Sequence, residues 1–198
     1  MATTLGDLVQ ITSGHPFRGR IEPNRDGDVY VVQMRNIDTE GEIDVEQLTQ
    51  ANSVSKDRVG MLRPNDILFL AKGSNNVASL VEGLPENSVC SPQFFHMRVR
   101  AQRQSEVLAE FICWQLNQLP AQRYFKASAE GTHQVSIRKQ VLADTPFVLP
   151  DIKVQACIVN MHRCAMKEMK IHKQLIENRQ QQMMAIASDL LNRFSKNS

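Results

Sequence analysis

The sequence predicts an α+β fold: a mixed domain over residues 1–150, followed by one long coiled-coil-forming helix over 151–198. Three observations predict it. Up to about Pro150, short runs of β-branched and aromatic residues alternate with turn residues. Helical patterns are interspersed among them without regular strand–helix–strand alternation and without a nucleotide-binding glycine fingerprint, so a doubly wound parallel sheet is disfavoured. Beyond Pro150 the chain has neither Gly nor Pro, and its apolar residues recur at helical spacing.

The elements follow in order. Leu5-Gly6-Asp7-Leu8-Val9 opens the chain, and Ser13 to Arg20 form a loop rich in Gly, Pro and Arg. Val29 to Met34 reads as a strand. Arg63-Pro64-Asn65-Asp66 is a turn leading into a short buried strand, Ile67 to Leu70. Lys72 to Asn76 is a polar turn, from which Val77 to Val81 return as a partner strand. Phe94 to Val99 is a further strand. Over Ser105–Leu119, Val107, Leu108, Phe111, Ile112 and Leu116 keep helical spacing, and Pro120 is read as the stop.

Asp151 is an N-cap candidate for the last helix. From there a seam recurs in alternating steps of three and four: Ile158, His162, Ala165, Met169 and His172, then Ile176, Arg179, Met183, Ile186 and Leu190. A second apolar line, Cys157, Met161, Cys164, Ile171 and Leu175, accompanies its first half only. At ~1.5 Å per residue such a helix reaches about 65 Å, more than a domain of this size covers. The seam is therefore expected to meet another chain; the alternative is a helix folded back on its own domain. His162 and His172 are read as register-setting polar positions rather than pH sensors.

Composition narrows the function classes. The 198 residues are 42% hydrophobic and 22% charged, which supports one packed domain and excludes a disordered chain. The net charge of +2 neither requires nor excludes a nucleic-acid partner, since charge distribution decides that. The four cysteines, Cys90, Cys113, Cys157 and Cys164, form no CxxC pair, so neither zinc nor a disulfide framework is expected. No apolar run spans a bilayer and no secretory pattern opens the chain, which reads as cytoplasmic.

No catalytic constellation is evident, and no metal or cofactor is expected. Asp38, Glu40, Glu42, Asp44 and Glu46 would share one face of a strand, either as a metal or acid/base site or, preferably, as a solvated acidic edge. His15, His96 and His133 lack a nucleophile in a recognisable turn. Lys72-Gly73-Ser74 lacks the flanking glycines of a phosphate loop.

Three loops have the composition of DNA-contacting surfaces. One holds His15, Arg18 and Arg20; the second holds Lys72, Ser74, Asn75 and Asn76. The third carries Arg123 and Lys126, then Thr132, His133 and Gln134, then Arg138 and Lys139. Between Arg98 and Lys139 bases outnumber acids, so a nearly neutral chain can still present a basic face. Lys72, Asn75, Asn76, His133 and Gln134 are candidates for base edges. Arg18, Arg20, Arg123, Lys126, Arg138 and Lys139 are candidates for phosphates.

These segments carry a family resemblance over nearly the whole chain. Leu5-Gly6-Asp7-Leu8 with Ile11-Thr12-Ser13-Gly14 resembles the start of the target recognition domain of type I restriction–modification specificity subunits. Arg63-Pro64-Asn65-Asp66-Ile67-Leu68-Phe69 with Lys72-Gly73-Ser74 resembles that family's "GDIL" segment, with Asn65 where Gly is usual. Gly131 to Ser136 is similar to its glycine-polar segment. Thr145-Pro146-Phe147-Val148-Leu149-Pro150, with Gln155, Ile158 and Val159, is similar to the lead-in to its helix.

The resemblance implies a non-catalytic DNA-binding subunit of a restriction or phage-defence complex. Family members usually carry two recognition domains and two antiparallel helices, on which methyltransferase subunits, and in some systems a motor nuclease, assemble. This chain matches half of that arrangement, so the resemblance implies a homodimer reading a split palindromic target. The competing expectation is a self-associating scaffold that keeps the fold and reads no DNA.

Overall fold

A computed structural model describes residues 3–53, 60–73, 76–128 and 136–195. The fold is α+β, with two sheets and five α-helices among the described residues. Contacts divide the chain into two units, Met1–Ala156 and Cys157–Ser198.

In the first unit, a single turn α1 (Leu5–Leu8) leads into β1 (Val9–Ser13). The Asp7 carboxylate accepts from both the backbone N–H and the hydroxyl of Thr4, which fixes this turn. Then come β2 (Val29–Val32), β3 (Thr49–Ala51), β4 (Ile67–Leu70), β5 (Ala78–Leu80), β6 (Ser88–Cys90) and β7 (Phe94–Val99). One sheet has the order β1-β7-β4-β5, all antiparallel; the other has the order β3-β2-β6. In the second, β2 pairs antiparallel with β3 and parallel with β6.

Why β4 lies inside its sheet is legible in its residues: Ile67, Leu68, Phe69 and Leu70 are all buried, so both faces are covered. Val32, Leu68, Leu70, Val81, Cys90 and Phe94 form one core, joining residues of both sheets. The exposed edge at β5 is covered differently. The amide of Asn117 donates to the Ala78 carbonyl, while its oxygen accepts from the Ala78 N–H. Those two bonds satisfy an edge that would otherwise offer itself to a foreign strand.

Three expectations need correction. The helix expected over 105–119 is shorter, α2 (Ala109–Leu116), and Pro120 lies in the first turn of the next helix, α3 (Leu119–Ser128), rather than ending the first. Proline fits the first turn, where its missing N–H would have had no partner. The strand from 29 to 34 ends at Val32, and Met34–Asn36 form a 3-10 turn. The acidic stretch is not a strand edge: Asp38 accepts from the backbone of Glu40 and Glu42, and Asp44 from that of Glu46 and Gln47. Those carboxylates close turns, and no group able to hold a metal occurs among the described residues.

A short helix α4 (Lys139–Ala143) precedes the extended lead-in to α5 (Ile152–Ser195). Asp151 accepts from the Lys153 N–H as an N-cap does. Gln155, fully buried, donates to the Glu106 and Pro150 carbonyls and accepts from the Leu108 N–H. The glutamine of the family-like lead-in therefore fastens the start of α5 to the segment before α2. No described helix is long and apolar enough to cross a membrane.

Candidate nucleic-acid interface

The arginine loop is built by alternation. Phe17 and Ile21 pack against the core of β2, β3 and β6, while Arg18, Gly19 and Arg20 between them are exposed. Two partly buried apolar anchors thus hold a loop whose guanidiniums face solvent, and neither guanidinium has a protein partner among the described residues. The loop's root is tight. A Cβ on Gly14 would lie 2.0 Å from the Ser91 carbonyl oxygen, so only glycine allows this approach. His15 belongs to the root rather than the surface: it is buried and its Nε2 lies 3.0 Å from Ser53 Oγ. Burial pushes its pKa below 6.5, a shift partly offset by Asp28.

A second polar group comes from the parallel pairing of β2 and β6. Parallel strands end on the same side, so the residues after Val32 and after Cys90 emerge together. Ser91 N–H donates to the Val32 carbonyl at 2.9 Å. Gln33 and Arg35 follow the first strand, and Ser91 and Gln93 the second. With the Phe17–Pro23 loop these segments line a cleft of about 610 Å³.

Lys72 joins the same neighbourhood. Ala71 N–H donates to the Gln93 carbonyl, and Ile137 N–H donates to the Ala71 carbonyl. Lys72 forms an isolated bridge with Ser136, and a Cβ on Gly73 would lie 3.5 Å from the Met34 sulfur. The arginine loop, Lys72 and the segment of Ser136 and Ile137 therefore lie in one neighbourhood at the end of β2 and β6.

The other candidates are placed as follows. Arg123 and Lys126 are exposed on α3; Arg138 caps α4 and Lys139 begins it, both exposed. Tyr124 Oη donates to the Val141 carbonyl, linking α3 to α4. Asn76 requires a correction as a base-edge reader: it is buried and its amide donates to the Leu70 carbonyl. Ser74, Asn75, Thr132, His133 and Gln134 lie outside the described residues.

The basic excess from Arg98 onward is partly internal. Arg98 makes two hydrogen bonds to the buried Asp66, Arg100 donates to the Gly6 carbonyl, and Arg103 pairs with Glu106. Gln33, Arg35 and Gln93 were missed by sequence reasoning. A signal existed in Gln33-Met34-Arg35-Asn36, a polar run directly after a buried strand.

In the second unit, Met169, Ile176, Met183, Ile186 and Leu190 of the seam are each more than half exposed, and Ala165, His172 and Arg179 are exposed as well. Ile158 is half-buried. Met161, Ile171 and Leu175 of the second line are exposed too.

No protein-family profile matches the chain, and no curated protein matches it by sequence. Solved structures do match by fold. The chain is similar to the S subunit of a type I restriction–modification system from M. genitalium, at TM-score 0.59 and 18% identity, over 89% of this chain and 41% of that one. It is similar to the HsdS subunit from Thermoanaerobacter tengcongensis, at TM-score 0.61 and 18% identity, over 88% of this chain and 44% of that one. A third match, at TM-score 0.64 and 13% identity, comes from a structure of type I R-M system assembly and conformational transition, over 88% of this chain and 40% of that one. The chain has the specificity-subunit fold, and it spans about two fifths of the length of the chains it matches.

Proposed function

We propose that the chain is a non-catalytic DNA-recognition subunit that works with methyltransferase subunits in a type I restriction–modification or related phage-defence complex. One observation carries this reading most directly. In a fold shared with S subunits, Arg18 and Arg20 on one loop and Lys72 on another are exposed beside the ends of β2 and β6, the arginine loop held by two partly buried apolar anchors. Such a surface suits a phosphate backbone, with neighbouring polar loops reaching base edges.

In this reading Arg18, Arg20, Arg123, Lys126, Arg138 and Lys139 contact phosphates, while Lys72, Asn75, His133 and Gln134 approach bases, with Ser74 and Thr132 beside them. The α5 seam pairs two copies, and the pair reads inverted half-sites separated by an unread spacer. A motor nuclease subunit is a further partner. The complex works in the cytoplasm.

The test is binding of the full chain to duplex DNA across a salt series. Affinity should fall steeply with salt, and the double variant Arg18→Ala, Arg20→Ala should weaken all sequences and reduce the log–log salt slope by about two, roughly one per lost phosphate contact. Absence of duplex binding at low salt would overturn the reading and leave the scaffold alternative standing.

A further inference from the structure

The cleft at the end of β2 and β6 holds a guanidinium that the sequence reading did not single out. Arg35 is exposed, and its Nη2 donates to Thr49 Oγ1 at 2.6 Å. Gln33 Nε2 donates to the same oxygen at 2.8 Å. Thr49 itself is buried on β3, so both side chains are tethered to the sheet. The turn carrying them is fixed from below: buried Asn36 accepts from the Gln33 N–H and donates to the Gln47 carbonyl.

A guanidinium presents two two-donor edges, and each uses one of the two Nη2 hydrogens. Thr49 takes one of those hydrogens, so one complete edge remains, and Arg35 has no other partner among the described residues. Its fork is thus oriented before anything binds, which reduces the side-chain entropy lost on binding. Arg20 lines the same cleft with Gln33 and Gln93, and it too has no partner among the described residues. Glu22 is the one acid among the lining residues.

We propose that this cleft seats a backbone phosphodiester of duplex DNA, with Arg35 as its bidentate ligand, Arg20 as its second cation and Thr49 as the positioning residue. The proposal rests on the DNA-binding reading above. A cleft suits a convex sugar–phosphate strand better than a base edge, which a protruding side chain must reach inside a groove. A planar fork matches two phosphate oxygens, so a fixed Arg35 sets the register of the domain on the duplex.

The experiment measures duplex affinity of the full chain against salt for wild type, Arg35→Ala, Arg35→Lys and Thr49→Val, with thermal melts to confirm folding. Arg35→Ala should weaken every duplex alike, about tenfold or more, and lower the salt slope by about one. Arg35→Lys should keep the slope and lose several-fold in affinity, because a point charge replaces a fork. Thr49→Val, nearly isosteric, should also keep the slope while weakening binding several-fold.

Arg35→Ala with wild-type affinity and slope overturns the assignment, as does a change of base preference with an unchanged slope. Thr49→Val indistinguishable from wild type overturns the positioning role. Inorganic phosphate that binds wild type without displacing duplex DNA at equal ionic strength marks a pocket for free phosphate and contradicts a duplex site. A wild type that fails to bind duplex removes the underlying reading; a wild type whose binding responds to Arg18 and Arg20 but not Arg35 removes this inference alone.

Discussion

Asp66 shows how a turn motif becomes a structural anchor. Its buried carboxylate accepts from Arg98, His96 and the Arg63 N–H. Burial is the largest influence and works to raise its pKa; the hydrogen bonds from Arg98, His96 and Arg63 together outweigh it, and the pKa ends below 3.8. A lowered carboxylate pKa adds stability that is complete above 3.8 and is lost as pH falls through the folded value. Asp66→Asn should therefore cost about 1–3 kcal/mol at neutral pH in denaturant melts, since the partly exposed Arg98 left behind is screened by water, and its deficit should shrink below pH 3.8. A pH-independent deficit would contradict the ion-pair account. Beside it, Asn65 has φ +68°, a left-handed backbone that Asn and Gly adopt more readily than other residues. At the same scale, burial raises the Cys90 and Cys113 thiols to about 12, while Cys157 and Cys164 are exposed. Iodoacetamide at mild pH should label Cys157 and Cys164 long before the other two, read by peptide mass spectrometry; early labelling of Cys90 would contradict the packing of β6.

At the scale of elements, α5 carries the most exposed apolar surface. Its seam leaves Ile176 60% and Met183 59% exposed. Ile176→Asp with Met183→Asp should convert the proposed dimer into monomers in light scattering, because charges would be buried unpaired in the seam. Unchanged mass, or a wild-type monomer at high concentration, would give the seam another role. This helix was legible because its period repeats over many turns with no Gly or Pro to break it. β4 was legible as a compact apolar run between turn residues. β1, β3 and β6 were not, because three- to five-residue strands carry little periodic signal and depend on partners distant in sequence. The same limit hid Arg35: its role depends on Thr49, fourteen residues away, and on a parallel pairing with β6 that local pattern does not encode. The exposure of Arg18 and Arg20 was legible because a loop rich in Gly, Pro and Arg is written in consecutive residues.

At the scale of the molecule, one recognition-like unit with one helix corresponds to about two fifths of the S-subunit chains it matches. Two identical copies related by a two-fold axis must present identical surfaces in opposite orientations, so their half-sites are inverted repeats. A rigid helix pair would hold them at a fixed spacing, on the order of one duplex turn, ~34–36 Å. The most direct measurement is selection of a random duplex library by the full chain, alone and with the methyltransferase subunits proposed above, followed by sequencing. The account predicts two short inverted half-sites separated by a spacer of fixed length and free sequence. A contiguous motif, an asymmetric one, or no enrichment would contradict it.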